Sequence, residues 1–186
     1  MGNTTGASAL ALNCGTGDFT LASATGTIIS AIDTGEVTMP LQPAFLAFNS
    51  SARNNVTGNG AVYTLIFDTV VFDQNSDFDG TSTFTAPVTG KYYLESKASL
   101  GQVTNGTVCS FTIVTSNRSF VMSIISPTAV KDLNNQYMPN GSILCDMDAG
   151  DTATITIAIT GIGADTADVQ GGAAGSATSF SGNLIC

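Results

Sequence analysis

The sequence predicts an all-β sandwich, and three observations carry that reading. No window of a dozen residues places apolar side chains at helical spacing. Thr, Val, Ile, Phe and Tyr dominate, and roughly eight alternating segments recur between turns rich in Gly and Asn.

Each element follows from the two-residue side-chain period of a strand. Ahead of the sandwich, Thr-Gly recurs at 16–17, 25–26 and 34–35, each nine residues from the last. Aligned on those pairs, one column is always apolar (Phe19, Ile28, Val37), and apolar residues continue at Leu21, Ile32, Met39 and Leu41. A strand that short cannot bury its own apolar face, so residues 1–40 are expected to be a β-rich stalk or attachment segment sharing that face with neighbouring copies. Residues 41–186 are expected to form the head. Its strands are placed at 43–49, 61–68, 91–100, 108–115, 118–126, 142–148, 151–160 and 176–185. The third shows the pattern best, with Tyr92, Leu94, Ala98 and Leu100 on one face and Lys91, Tyr93, Glu95, Lys97 and Ser99 on the other. In 151–160 the inward row is Ile155, Ile157 and Ile159. Turn clusters at 54–60, 104–106, 139–141 and 171–172 separate the strands. About eight strands in about 145 residues is the count of a two-sheet jelly roll or a related sandwich.

The 186 residues suffice for one core, and the composition excludes several functions. Five Lys and Arg against fourteen Asp and Glu leave a net charge of −9, with 10% of residues charged and 43% hydrophobic. Disorder needs the opposite balance. So few cations cannot neutralise a row of phosphates, which argues against nucleic acid or anionic lipid as partner. With no His, mechanisms built on imidazole are absent. The remaining carboxylates lie in polar turns, Lys91, Lys97 and Lys131 have no serine partner arrangement, and the expectation is a protein that is not an enzyme. Residues 1–13 hold no basic stretch and only a brief apolar run, so a chain beginning here is not expected to be exported by itself. No apolar run reaches the roughly 18 residues of a membrane span. Cys14, Cys109, Cys145 and Cys186 match no metal or redox spacing. Cys109 and Cys145 fall on apolar faces, as free buried thiols do.

Phe67, Asp73, Phe78, Phe84, Gly90 and Tyr92 stand in an order and at spacings that carry a resemblance. The segment 67–96 resembles the signature of the globular head of complement C1q, part of the jelly-roll superfamily that includes tumour necrosis factor. Downstream, Ala149-Gly150-Asp151 is similar to the family's Gly-Asp turn, and Ser179-Phe180-Ser181-Gly182 with Leu184-Ile185 to its last strand. The pattern departs at the Phe78–Phe84 gap, one residue short, and at Leu94 and Ser96, which replace aromatics. The resemblance implies a homotrimer with Phe67, Phe78, Phe84, Gly90, Tyr92 and Phe180 as signature residues of the core. No collagen-like run precedes the head, and the Thr-Gly repeat stands in its place. Residues 34–47 resemble the stalk-to-head joint of viral fibre proteins. The implied protein is a trimeric fibre or spike head of a virion, of the bacteriophage kind, joined to other virion proteins through residues 1–40 and binding a host surface glycan or protein. The alternatives are a capsid decoration or extracellular filament subunit, and a secreted complement-type lectin-like module.

Two loops are candidate sites. Asn75, Asp77 and Asp79, with Gly80, fit the opening of a calcium loop, but the twelfth position is Ala86, and an ordinary polar loop is the simpler reading. No cofactor is expected, with calcium at this loop as the alternative. Asp146, Asp148 and Asp151 read as a solvated face. Asn135, Gln136 and Tyr137, next to Asn134 and Met138, combine amide donors and acceptors with a ring that can stack on a sugar, and are the expected ligand-binding residues. Sequons at Asn3, Asn49, Asn55, Asn105, Asn117 and Asn140 arise from composition.

Overall fold

Strands form where apolar and polar residues alternate and a neighbour is available to complete the ladder. The computed structural model describes residues 17–32, 34–172 and 177–186. The chain divides into two compact units, Met1–Gln42 and Pro43–Cys186.

In the first unit, β1 (Phe19–Ser23), β2 (Gly26–Ala31) and β3 (Val37–Thr38) make an antiparallel three-stranded sheet in chain order. Two of the Thr-Gly pairs are its turns. Gly26 and Gly35 have φ of 138° and 103°, which L side chains rarely adopt, so the repeat marks the places where the chain must reverse. The pair at 16–17 reaches outside the described residues. Phe19, Leu21, Ile28, Val37, Met39 and Leu41 are all exposed, and none of the unit's described residues is buried.

The second unit contains β4 (Ala44–Phe48), β5 (Arg53–Thr57), β6 (Val62–Thr64), β7 (Thr69–Gln74), β8 (Phe84–Thr85), β9 (Gly90–Lys97) and β10 (Ser99–Gly101). There follow β11 (Val108–Thr115), β12 (Ser119–Ile125), a single helical turn α1 (Pro127–Val130), β13 (Asn140–Met147), β14 (Thr152–Thr160), β15 (Ala167–Gln170) and β16 (Ser179–Leu184). One sheet runs β13-β9-β16-β4-β7. The other runs β12-β11-β14-β6, with β8 also on β14, and β10-β15-β5 form a small third sheet. The pairing is antiparallel throughout, and the fold is the two-sheet jelly roll.

The expected strand at 61–68 is shorter than its apolar pattern. Only Val62–Thr64 is a strand. Leu65 and Phe67 are buried, but their N–H groups donate to the carbonyls of Ile155 and Thr81 from outside it. The sequence pattern also passed over β5, β7, β8 and β15, and the expected strand at 91–100 is divided between β9 and β10.

The core fills with the inward rows of both sheets. Phe45 stacks on Phe84 at 4.8 Å and on Phe78 at 5.2 Å, and meets the edge of Phe180 at 4.9 Å. Phe67 lies 5.6 Å from Phe180, and Tyr92 5.6 Å from Phe84. The aromatic signature residues Phe67, Phe78, Phe84, Tyr92 and Phe180 therefore all belong to one buried cluster. Burial pushes the Tyr92 hydroxyl upward in pKa, while the same hydroxyl donates to the Val88 carbonyl at 2.7 Å and ties down the turn before β9. Gly90 opens β9 because a Cβ there would stand 2.6 Å from Leu184 Cδ1 and 2.7 Å from the Cys186 carbonyl oxygen.

Candidate functional site

The strand registers determine which loops can meet. Ala44 pairs with Asn183, and Met147 with Gly90, so the chain enters the head at Pro43 beside its own C-terminal strand. Leu184 N–H donates to the Pro43 carbonyl, and Lys91 N–H to that of Cys186. At the opposite end, Lys97 pairs with both Asn140 and Ser179. Val108 pairs with Thr160, and Cys109 with Ile125. The connections 102–107, 126–139 and 161–166 lead from those strand ends, and gather at the end of the head away from Pro43.

Among them lies a cleft of about 450 Å³, lined by Gln102, Thr104, Asn105, Asn134, Asn135 and Ile162, with Thr166 at its side. Its walls are built by local hydrogen bonds. Thr128 of α1 donates its hydroxyl to the Gly106 carbonyl at 2.6 Å and clasps 126–130 to the 102–107 loop. Asp132 organises the next turn: its Oδ1 accepts the N–H groups of Asn134 and Gln136, each at 2.8 Å, and its carbonyl accepts that of Asn135. Asn135 sits at φ 60° and Gln102 at φ 59°, and the Asn135 carbonyl accepts the Val103 N–H across the gap. Such a backbone costs an L side chain on the order of 1 kcal/mol and persists only where its surroundings hold it.

No lining residue ionises. Two charged side chains bond the lining amides: Lys131 Nζ donates to Asn135 Oδ1, and the buried Asp168 carboxylate accepts Gln102 Nε2 at 2.6 Å and the Asn55 N–H at 2.9 Å. The arrangement offers neutral donors and acceptors beside one aliphatic side chain, a setting for binding rather than for proton transfer.

Of the three residues expected to bind ligand, the structure brings Asn135 to the cleft. Gln136 is exposed elsewhere on the loop, and Tyr137 is half-buried against the core, its backbone pairing with Leu100 in both directions. Gln102, Thr104, Ile162 and Thr166 come from loops far apart in sequence. The only advance signal was the abundance of amides and hydroxyls in the turn clusters.

The 73–83 loop is a self-supported turn. Asn75 and Ser76 have φ of 73° and 60°, and Asp73 accepts the N–H groups of Asp77 and Phe78, each at 3.1 Å. Asp79 Oδ1 accepts those of Thr81, Ser82 and Thr83 at 2.7, 2.8 and 3.0 Å. These bonds outweigh its desolvation and hold its carboxyl below the ordinary range. Burial and the neighbouring Asp73 push the Asp77 carboxyl up, and its Oδ2 is buried with no partner. Among the described residues no group of three or more His, Cys, Asp or Glu is disposed to hold a metal ion.

At the Pro43 end, Asp151 accepts the Ser116 hydroxyl at 2.7 Å and the Asp148 N–H at 2.8 Å, and Asp146 pairs with Arg118 at 3.2 Å. Cys109, Cys145 and Cys186 are free, the first two buried. Cys14 lies outside the described residues.

An antiparallel jelly roll with a loop cleft at one end defines the class, a sandwich head that commits its strands to packing and its loops to contact. The chain belongs to the C1q domain family, whose pattern it matches over residues 47–185. Domains of this kind are typically non-enzymatic binding modules. Among solved structures, murine APRIL is similar at 12% identity and TM-score 0.51, over 77% of this chain and 99% of that one. The globular domain of zebrafish complement 1qA is 18% identical with TM-score 0.48, over 78% of this chain and 98% of its own. PRD1 vertex protein P5 is 11% identical with TM-score 0.50, over 95% of this chain and 86% of its own. Comparison with curated proteins gives no match. No helix among the described residues is long and apolar enough to cross a membrane.

Proposed function

We propose that this chain is a structural and adhesive virion protein, the homotrimeric head of a fibre or spike that meets a host surface receptor through the loop end away from Pro43. It performs no chemistry. Residues 1–40 serve as the stalk that joins it to other virion proteins.

The observation that carries the trimer is the outward face of the β13-β9-β16-β4-β7 sheet. There Leu46, Phe72, Tyr93 and Leu144 stand partly or largely exposed beside a hollow of about 430 Å³. Leu46 pairs directly with Phe72 on one side of this face and Tyr93 with Leu144 on the other, with Glu95, Ser181 and Asn183 between the two pairs. Large apolar side chains exposed in pairs on one sheet face mark an interface, and identical copies around one axis cover them most simply. The virion setting is supported by the likeness to a vertex protein that extends over nearly the whole chain.

Light scattering tests the assembly: the expected mass is three times the 18.9 kDa protomer. Phe72→Asp, which puts a charge in the proposed interface, is expected to reduce it to one. A monomer at micromolar concentration overturns the trimer. Labelled protein incubated with a panel of bacterial strains tests attachment, and binding to none of them overturns the adhesive role.

A further inference from the structure

We infer that the cleft between 102–105, 134–135 and 162–166 binds a neutral, hydroxyl-rich ligand, a single uncharged sugar residue of a surface glycan. The inference rests on the attachment role above and names the chemistry of its ligand.

The lining selects among ligand classes. An anion would call for Arg, Lys or a cluster of convergent N–H groups, and a hard cation for several carboxylates, and the lining side chains supply neither. An extended peptide is bound along a sheet edge, or by pockets for its apolar side chains, whereas the polar part of this cleft is made of side-chain amides and threonine hydroxyls. An amide is matched to a hydroxyl, because each group gives and takes a hydrogen bond. Ile162 supplies an aliphatic surface against which the C–H face of a sugar ring can lie. The volume, about 450 Å³, falls in the range of small-ligand clefts, roughly 300–1,000 Å³.

The surrounding network sets the polarity of the site. Lys131 occupies Asn135 Oδ1, so the Asn135 amide has N–H groups to offer a ligand. Asp168 takes the Gln102 Nε2 group, which leaves the Gln102 side-chain carbonyl as an acceptor. These two bonds determine which way each amide is turned, with a donor on one wall and an acceptor on the other. Both residues hold a left-handed backbone, as does Asn55, whose N–H reaches the same Asp168 carboxylate. Asn105 and Asn134 are exposed, and their amides face no competing charge in the lining. One sugar held by a few neutral hydrogen bonds binds weakly, and three clefts on one trimer supply the avidity that lasting adhesion needs.

The competing occupant is a protein receptor. Leu133 is the feature that would serve it, fully exposed on the same turn at 102% relative accessibility. The test separates the two. The amide resonances of the full chain are followed by NMR during titration with methyl glycosides of glucose, galactose, mannose, rhamnose and N-acetylglucosamine. Glucuronic and sialic acids serve as charged controls. At least one neutral glycoside is expected to shift the side-chain amides of Asn105, Asn134 and Asn135. The double variant Asn105→Ala/Asn134→Ala, checked for unchanged melting, is expected to weaken that binding at least tenfold, and Leu133→Ala to leave it unchanged. If no neutral glycoside moves those resonances, or only the charged sugars do, the inference is wrong. It is equally wrong if Leu133→Ala abolishes adhesion while the asparagine variant adheres normally. Should sugars bind in the cleft while the trimer adheres to no strain, the attachment role fails and the sugar site stands.

Discussion

Truncating Phe45 to alanine removes the ring on which the aromatic cluster is centred. Phe45 is 1% exposed and touches three other rings, Phe84 and Phe78 face to face and Phe180 edge on. A buried Phe→Ala change costs about 3–5 kcal/mol, covering both lost transfer energy and the cavity left behind. This site does not fall at the lower end. Its ring neighbours come from β16, paired with β4, and from Phe78 and Phe84, bridged to each other while β8 pairs with β14, so these backbones are fixed and cannot close in on the space. A loss of about 4 kcal/mol in a domain of this size lowers the melting temperature by roughly 8–16 °C. Circular dichroism melts at one fixed protomer concentration measure it, since association makes the midpoint depend on concentration. Leu133→Ala is the control, expected within about 0.5 kcal/mol of the parent because its side chain touches nothing that folding buries. A Phe45→Ala midpoint within 2 °C or so of the parent would refute the view that this cluster joins the two sheets.

Three further outcomes follow from single contacts. Gly90→Ala places a methyl against Leu184 and the Cys186 carbonyl, and is expected to lower stability by about 1–3 kcal/mol in a urea melt. Burial pushes the Cys109 thiol up to about 12 and raises that of Cys145, so iodoacetamide at mildly alkaline pH should alkylate Cys186 and spare both until denaturant is added, as peptide mass spectrometry would read. The Asp77 carboxyl, raised by burial and by Asp73, is harder to ionise folded than unfolded, so its charge opposes folding above its folded pKa and ceases to do so below its unfolded one. Asp77→Asn is therefore expected to raise the melting temperature at pH 7, with the gain vanishing as the pH falls through the ordinary aspartate range.

The parts legible in sequence were those in which one strand faces both core and water. In β9, β11 and β14 every second side chain is buried, and in each the alternation could be read residue by residue. The strands passed over owe their existence to partners. β7 has the run Thr69-Val70-Val71-Phe72, apolar on both faces, and only its pairing with β4 makes it a strand. β8 and β15 are short and exist through their pairing with β14 and β10. α1 is one turn begun by Pro127, too brief for a helical period to show. At 61–68 the apolar pattern was sound as a record of burial and misleading as a record of pairing, because Leu65 makes the last bond to β14, at Ile155, and Phe67 turns instead to the Thr81 carbonyl. The cleft was the least legible part. Asn135 could be singled out for its chemistry, but its meeting with Gln102 and Ile162 depends on three connections that only the registers of two sheets bring together.

That division bears on where this fold can carry recognition. Each inward position along the long strands is taken by the core, and the outward row of one sheet carries the apolar side chains that a neighbouring copy would cover. A change in either is felt by the whole head. The loops at the far end are under no such demand, and they bear their cost locally: the strained backbones of Gln102 and Asn135 are offset by bonds from Asp168, Asp132 and Thr128, all within the same end. The chain enters at the other end, where the Pro43 carbonyl accepts the N–H of Leu184 beside the C-terminal strand. A contact site at the loop end can therefore change its ligand by exchanging amides and hydroxyls on loop side chains, while Asp132 and Thr128 keep the backbone that presents them.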